Sequence, residues 1–154
     1  MKTENLQEWI GKTEERSDFL NAFPANAMAA TLNHEKLDYS ENENLPPLWH
    51  WLYFLPIFKL SEAGYDGHAA LGDFLPPVQL PRRMWAGSRI EFLSPLKVGY
   101  EYKKTSKIKN VTAKSGRSGD LVFVTVSHEV SNGPTIYINE EHDIVYRERA
   151  TSSS

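Results

Sequence analysis

The sequence predicts an α+β domain in which a curved antiparallel sheet wraps a central apolar helix. Three observations lead there. Leu45–Leu55 (LPPLWHWLYFL) is apolar almost throughout, so as a helix it has no face to give to solvent and must be enclosed. From Ser88 onward the chain has the texture of strands separated by short turn signals, which favours hairpins and an antiparallel sheet. Finally, 154 residues with 40% hydrophobic and 24% charged side chains suit one soluble domain. A chain of that length buries about 68–70% of its extended surface.

The elements follow in order. Residues 1–20 read as an amphipathic helix with a short apolar stripe at Leu6, Trp9 and Ile10, and with Glu14-Glu15-Arg16-Ser17-Asp18 in solvent. Phe23–Leu32 is small and apolar, and fits a strand as well as a helix. In the Leu45–Leu55 helix, Pro46 and Pro47 suit the first turn, where no N–H is needed, and Pro56 ends the run. Residues 61–87 hold four glycines and three prolines, the mark of a long loop, and Phe74, Leu75, Leu80 and Trp85 argue that it is ordered. Arg89–Leu93, Tyr100–Lys114, Asp120–Val130 and Thr135–Arg149 are then strands in meander order, and Val122, Val124, Val126 and Val130 share one face. Residues 1–150 form the single domain and 151–154 a flexible tail.

Composition excludes several functions. There is no cysteine, hence no disulfide framework and no thiolate chemistry, and no basic-then-apolar leader opens the chain, so the expected compartment is cytoplasmic. The apolar run to Leu60 is too broken by Pro46, Pro47, His50, Pro56 and Lys59 to span a bilayer, so no membrane is expected as a partner. A net charge of −3 argues against nucleic acid. Charge is nevertheless uneven. Residues 1–45 carry four basic against nine acidic side chains, and residues 97–117 seven basic against Glu101 alone, which reads chiefly as a lysine-rich edge strand. The five histidines show no HExxH spacing and no close pair, and GxSxG, GxGxxG and GxxxxGK[ST] are absent, so no metal and no cofactor are expected. The richest stretch is the loop, where Tyr65-Asp66-Gly67-His68 is followed by Arg82, Arg83 and Trp85. Guanidinium groups clamp phosphates or carboxylates and an indole stacks on planar rings, although Trp85 serves equally as a core plug.

Four blocks, PPLWHWLYFLP, YDGHAALGDFLPPVQLPRRMWAG, GRSGDLVFVTVSHEV and EEHDIVYRER, taken in this order, resemble the N-terminal half of mesaconyl-CoA hydratase-type proteins, within the MaoC-like dehydratases. The resemblance implies a hot-dog fold and reversible hydration of a 2-enoyl-CoA. In that family an Asp or Asn and a His five positions later act on water, just before the central helix. Here Asn33 stands in the first position and Asp38 in the second, with His34 the nearest imidazole, so the catalytic dyad reads as degraded. An imidazole exchanges protons near neutrality whereas an ordinary aspartate stays ionised. The resemblance therefore implies a subunit of an (R)-type enoyl-CoA hydratase or dehydratase that shapes the acyl-CoA tunnel. Its dyad would come from a catalytic hot-dog partner, with Arg82, Arg83, Trp85 and His68 toward the substrate. The alternatives are a homodimer of this chain working through His34 or Asp38, and a non-catalytic acyl-CoA binding module.

Overall fold

The computed structural model describes residues 4–55, 74–78, 80, 82–117 and 119–148. Its strands are β1 (Thr13–Phe19), β2 (Arg82–Phe92), β3 (Glu101–Gly116), β4 (Gly119–Asn132) and β5 (Thr135–Arg147). They form one antiparallel sheet in the order β1-β3-β4-β5-β2. Only β3-β4-β5 is a meander. β2 crosses to the far edge, beside β5, and β1 adds to β3, which corrects the sequential order expected for all four later strands. Register shifts at Trp85/Gly87, Ile108/Asn110 and Val130/Ser131 interrupt the ladders. Such bulges bend a strand and deepen its twist, which curves the sheet.

The expected N-terminal helix is reduced to α1 (Glu4–Gln7). Thr13–Phe19 instead pairs residue by residue with Lys107–Glu101, so a ladder satisfies the backbone that a three-residue apolar stripe could not hold in a helix. The same pairing accounts for the uneven charge. The acidic β1 lies on the lysine-rich β3, with Glu15 3.6 Å from Lys103, and β3 is therefore an interior strand, not the edge its lysines suggested.

The helix also moves. Among the described residues the longest is α2 (Ala22–Thr31), capped at its start by Asn21, whose side chain accepts from Phe23 N, and ended by Asn33 in the left-handed region at φ 58°. Leu45–Leu55 forms only one 3₁₀ turn, Trp49–Leu52, between left-handed Leu48 (φ 74°) and Phe54 (φ 59°). Its polar handles go to three separate elements. Tyr53 Oη donates to Asn21 O at 2.7 Å, Phe54 N to Asp18 Oδ2 at 3.0 Å, and Trp51 Nε1 to Glu140 Oε2 at 2.7 Å. A regular helix cannot point them that way, and tertiary contacts override propensity. No helix among the described residues is long and apolar enough to cross a membrane.

Two apolar clusters fill the inward face. One joins Leu20, Ala25, Leu45, Tyr53, Phe54, Leu96, Val98, Tyr102, Val130 and Ile138. The other joins Leu6, Val78, Ile108, Val111, Val122, Val124, Val126 and Tyr146. The four valines expected to share a face are all buried. Ile108→Ala, at a fully buried position, lowers the unfolding free energy by about 2–5 kcal/mol. Lys103→Ala, which loses only an exposed contact, shifts it by no more than about 1 kcal/mol. Urea titrations of the two variants measure the difference.

Candidate functional site

Between the two apolar clusters the inward face carries a belt of polar side chains. Register sets Ser106 opposite His128, and His128 opposite Glu140. His142 lies two residues along β5 and so on the same face. The 3₁₀ turn contributes His50 and Trp51.

Glu140 is the centre of this belt and is only 4% exposed. Trp51 Nε1 donates to its Oε2 at 2.7 Å, and His50 Nε2 approaches Oε1 at 3.4 Å. His142 Nε2 lies 3.1 Å from Oε2. Burial by itself raises a carboxyl pKa, yet the contacts from His142, His50 and Trp51 together outweigh it and hold Glu140 well below the usual carboxylate range. Glu140 is thus a permanent anion that orients its neighbours, not a proton donor near neutrality. His128 is its opposite. Burial first, then the charges of Lys104 and His142, push its imidazole down to about 3, against the pull of Glu140. Neutral His128 shares a 2.6 Å hydrogen bond with Ser106 through Nδ1, and its ring meets that of His142 edge-on at 5.0 Å. No group of three or more acidic or imidazole side chains among the described residues is arranged to hold a metal ion.

A cavity of about 350 Å³ opens beside the belt, walled mainly by Leu45–Leu48, Phe92–Leu96 and Ile138. His50 lines it, and Phe92 meets the His50 ring edge-on at 6.1 Å. Because an ionised carboxylate only accepts, His50 Nε2 is the nitrogen that donates to it, and the ring's other nitrogen is Nδ1. That Nδ1 is buried and has no hydrogen-bond partner among the described residues. A buried polar atom left in this state costs about 1–3 kcal/mol.

The residues singled out from sequence lie elsewhere. Asn33 terminates α2, with its N–H bonded to Ala30 O. His34 is exposed and stacks on Trp49 at 5.7 Å. The Asp38 side chain is 94% exposed and 3.8 Å from Lys36, which pairs more closely with Glu43 at 2.6 Å. None of the three lines the cavity, and no hydrogen bond joins them among the described residues. Arg82 sits opposite Arg147 on the outward face of β2. Arg83 and Trp85 sit opposite Tyr146 and Ile144, on the side of the polar belt, so alternation separates the paired arginines. Trp85 is 65% exposed, which puts it outside the core. His68 lies outside the described residues.

Sequence reasoning missed His50, Glu140, His142, His128 and Ser106, and its search for a close histidine pair failed because the sheet, not the chain, brings the imidazoles together. One signal was legible. His128 interrupts the buried alternation of Val122, Val124, Val126 and Val130, where a fifth apolar residue would be expected.

The family model described as hydroxyacyl-thioester dehydratase type 2 matches residues 48–154. The chain is 45% identical over 148 residues to mesaconyl-C(4)-CoA hydratase of Chloroflexus aurantiacus, covering 96% of this chain and 53% of that protein. It therefore spans about half the length of this curated relative. It superimposes on a chain of the ChsH1–ChsH2 complex from Mycobacterium tuberculosis with a TM-score of 0.67 at 12% identity, covering 96% of this chain and 90% of that one. The hot-dog-like protein from Thermanaerovibrio acidaminovorans gives a TM-score of 0.56 at 12% identity, over 96% and 89% of the two chains. At such identities the likeness is one of fold, and the fold is the hot-dog.

Two outcomes follow from the belt. Below about pH 6.5 the unfolded chain protonates His128 while the folded chain resists down to about pH 3, so stability falls as pH drops through that window. The urea midpoint should fall between pH 7 and 4, and less steeply in His128→Asn. Glu140→Ala strips the acceptor from Trp51 and His50 and lowers stability by about 3–5 kcal/mol at pH 7, measured in the same titrations.

Proposed function

The chain belongs to the hydroxyacyl-thioester dehydratase type 2 family, and from that premise we propose that it is one half of an (R)-type enoyl-CoA hydratase or dehydratase. The apolar cavity beside the 3₁₀ turn takes the acyl chain of a CoA thioester. The Asp/Asn–His pair that works on water comes from a second hot-dog domain, on a partner chain or on a further copy of this one.

The observation that carries this reading is the state of residues 33–38. Asn33 is spent on ending α2 and Asp38 stands in solvent beside Lys36, so neither is held against a substrate pocket. The relative of known activity is about twice as long, which leaves room for another such domain, and the ChsH1–ChsH2 relative is a complex of two chains. The CoA end falls to β2 and the segment before it. There Arg82 beside Arg147 on one face, and Arg83 on the other, offer guanidinium forks to phosphates, and the exposed Trp85 offers a stacking surface, with His68 the remaining candidate from sequence.

Co-expression with a hot-dog chain that carries D/N-x-x-x-x-H yields a stable complex that hydrates crotonyl-CoA. In that complex Arg82→Ala combined with Arg83→Ala raises KM by about tenfold and leaves kcat within about twofold, since the phosphates bind alike in ground and transition states. No complex and no gain in activity would sink the proposal. So would hydration by this chain alone that His34→Ala or Asp38→Ala abolishes.

A further inference from the structure

The inward face of the sheet holds a cation that its neighbours do not neutralise. Register sets Arg16 of β1 opposite Lys104 of β3, Lys104 opposite Val130 of β4, and Val130 opposite Ile138 of β5, which lines the cavity. Like charges directly opposed across a ladder are unfavourable. Arg16 has a carboxylate of its own, Glu14 at 2.8 Å, whereas Lys104 makes no ion pair and no side-chain hydrogen bond among the described residues. Lys104 is also half-buried, while Lys103, Lys107, Lys109 and Lys114 on the same strand are exposed. Around it stand Glu14, Arg16 and Asp18 on β1, His128 on β4, and Glu140 and His142 on β5, with His50 behind Glu140. Burial first, and then the facing guanidinium, pull the Lys104 ammonium below the ordinary lysine range, against the attraction of Glu140 and Glu14. A larger share of this lysine is therefore free amine near neutrality than of its exposed neighbours.

We propose that Lys104 is a covalent acyl acceptor, modified on Nζ by an acyl thioester lodged in the cavity against Ile138. The amine attacks the thioester carbonyl carbon, a C–N bond forms and the C–S bond breaks. The proton lost by the amine leaves with the sulfur, so the products are an amide on Nζ and one free thiol. The donor comes from the proposed function, on which this inference rests, and the modification site goes beyond it. A desolvated amine set beside a second cation is the environment that makes a lysine nucleophilic. Reach is consistent with the step. Two strand spacings, about 10 Å, separate the Lys104 and Ile138 backbones, and a flexible four-carbon stem carries the amine across part of that gap. Arg16 does not touch the thioester in this arrangement. It acts through Lys104, by disfavouring the ammonium form.

The test incubates the unaltered full chain, alone and in complex with the catalytic partner, with butyryl-CoA, a saturated thioester that hydration cannot consume. Peptide mass spectrometry then follows the butyryl amide at each lysine over time. Lys104 should be modified at least about tenfold faster than the exposed Lys107 and Lys114 at pH 7.5. With the chain alone, each amide should release one thiol, read with a thiol reagent free of background because this chain has no cysteine. The Lys104 rate should level off at a lower pH than the rates of the two exposed lysines, as a lowered ammonium requires. Arg16→Gln removes the facing cation and should slow Lys104 by about three- to tenfold while leaving Lys107 and Lys114 unchanged. The comparison among lysines in the unaltered chain does not depend on that variant folding. Two results overturn the inference and leave the proposed function standing, provided that calorimetry shows butyryl-CoA bound. One is modification of Lys104 no faster than of Lys107 and Lys114, and the other is a Lys104 rate that Arg16→Gln does not change. Failure of butyryl-CoA to bind either the chain or the complex overturns both.

Discussion

A deprotonated carboxylate sits in the interior of this sheet, and much of the surrounding structure answers to it. Glu140 is buried between two apolar clusters, where an unpaired charge would be prohibitive. The protein meets that demand by bringing Trp51 and His50 across from a loop about ninety residues earlier and by placing His142 on the same strand face. The need to satisfy Glu140 ties the 3₁₀ turn to β5, and this tie keeps Trp49–Leu52 from continuing as a helix. It also stations His50 at the wall of the cavity. The polar belt thus has a structural side, the docking of a loop on a sheet, and a chemical side, an imidazole held against a carboxylate at the wall of a cavity.

Charge plays a different part on the rest of the sheet. β1 and β3 pair acidic with basic stretches that look unbalanced when read along the chain, and Arg89 forks to Asp143 at 2.9 and 3.2 Å on the outward face. Lys109 reaches Glu141 at 2.9 Å on the same side. These contacts are exposed and each contributes little to stability. Between β1 and β3 the opposite charges meet on the diagonal, as Glu15 and Lys103 do, while the register itself sets Arg16 opposite Lys104. Of the basic side chains in residues 97–117, Lys103 and Lys109 meet the protein's own carboxylates at Glu15 and Glu141.

Much of the sheet was legible because its signals are local. Val122, Val124, Val126 and Val130 alternate as a half-buried strand must, and Asn132-Gly133-Pro134 closes a hairpin with Gly133 at φ 57°. The two helical expectations fared worse. Residues 1–20 had too short a stripe to outweigh the ladder that Thr13–Phe19 makes with β3. Leu45–Leu55 is apolar enough for a buried helix, but burial does not choose the backbone path. Tyr53, Phe54 and Trp51 take theirs from Asn21, Asp18 and Glu140. Asn33 had a reading in sequence as part of a dyad, and in the fold it is the left-handed residue that ends α2.

The amino-acid sequence by itself determined the class of fold, the run of hairpins and the apolar face of the sheet. Each follows from periodicity and turn chemistry within a few residues of chain. The family blocks between residues 46 and 149 were equally plain. What only the tertiary structure decided is the site. Ser106, His128, Glu140 and His142 come together through strand register, and His50 and Trp51 reach Glu140 from a distant loop. No spacing along the chain encodes those neighbours, because contacts across a sheet depend on which strands pair and in what register, and both are settled by the packing of the whole.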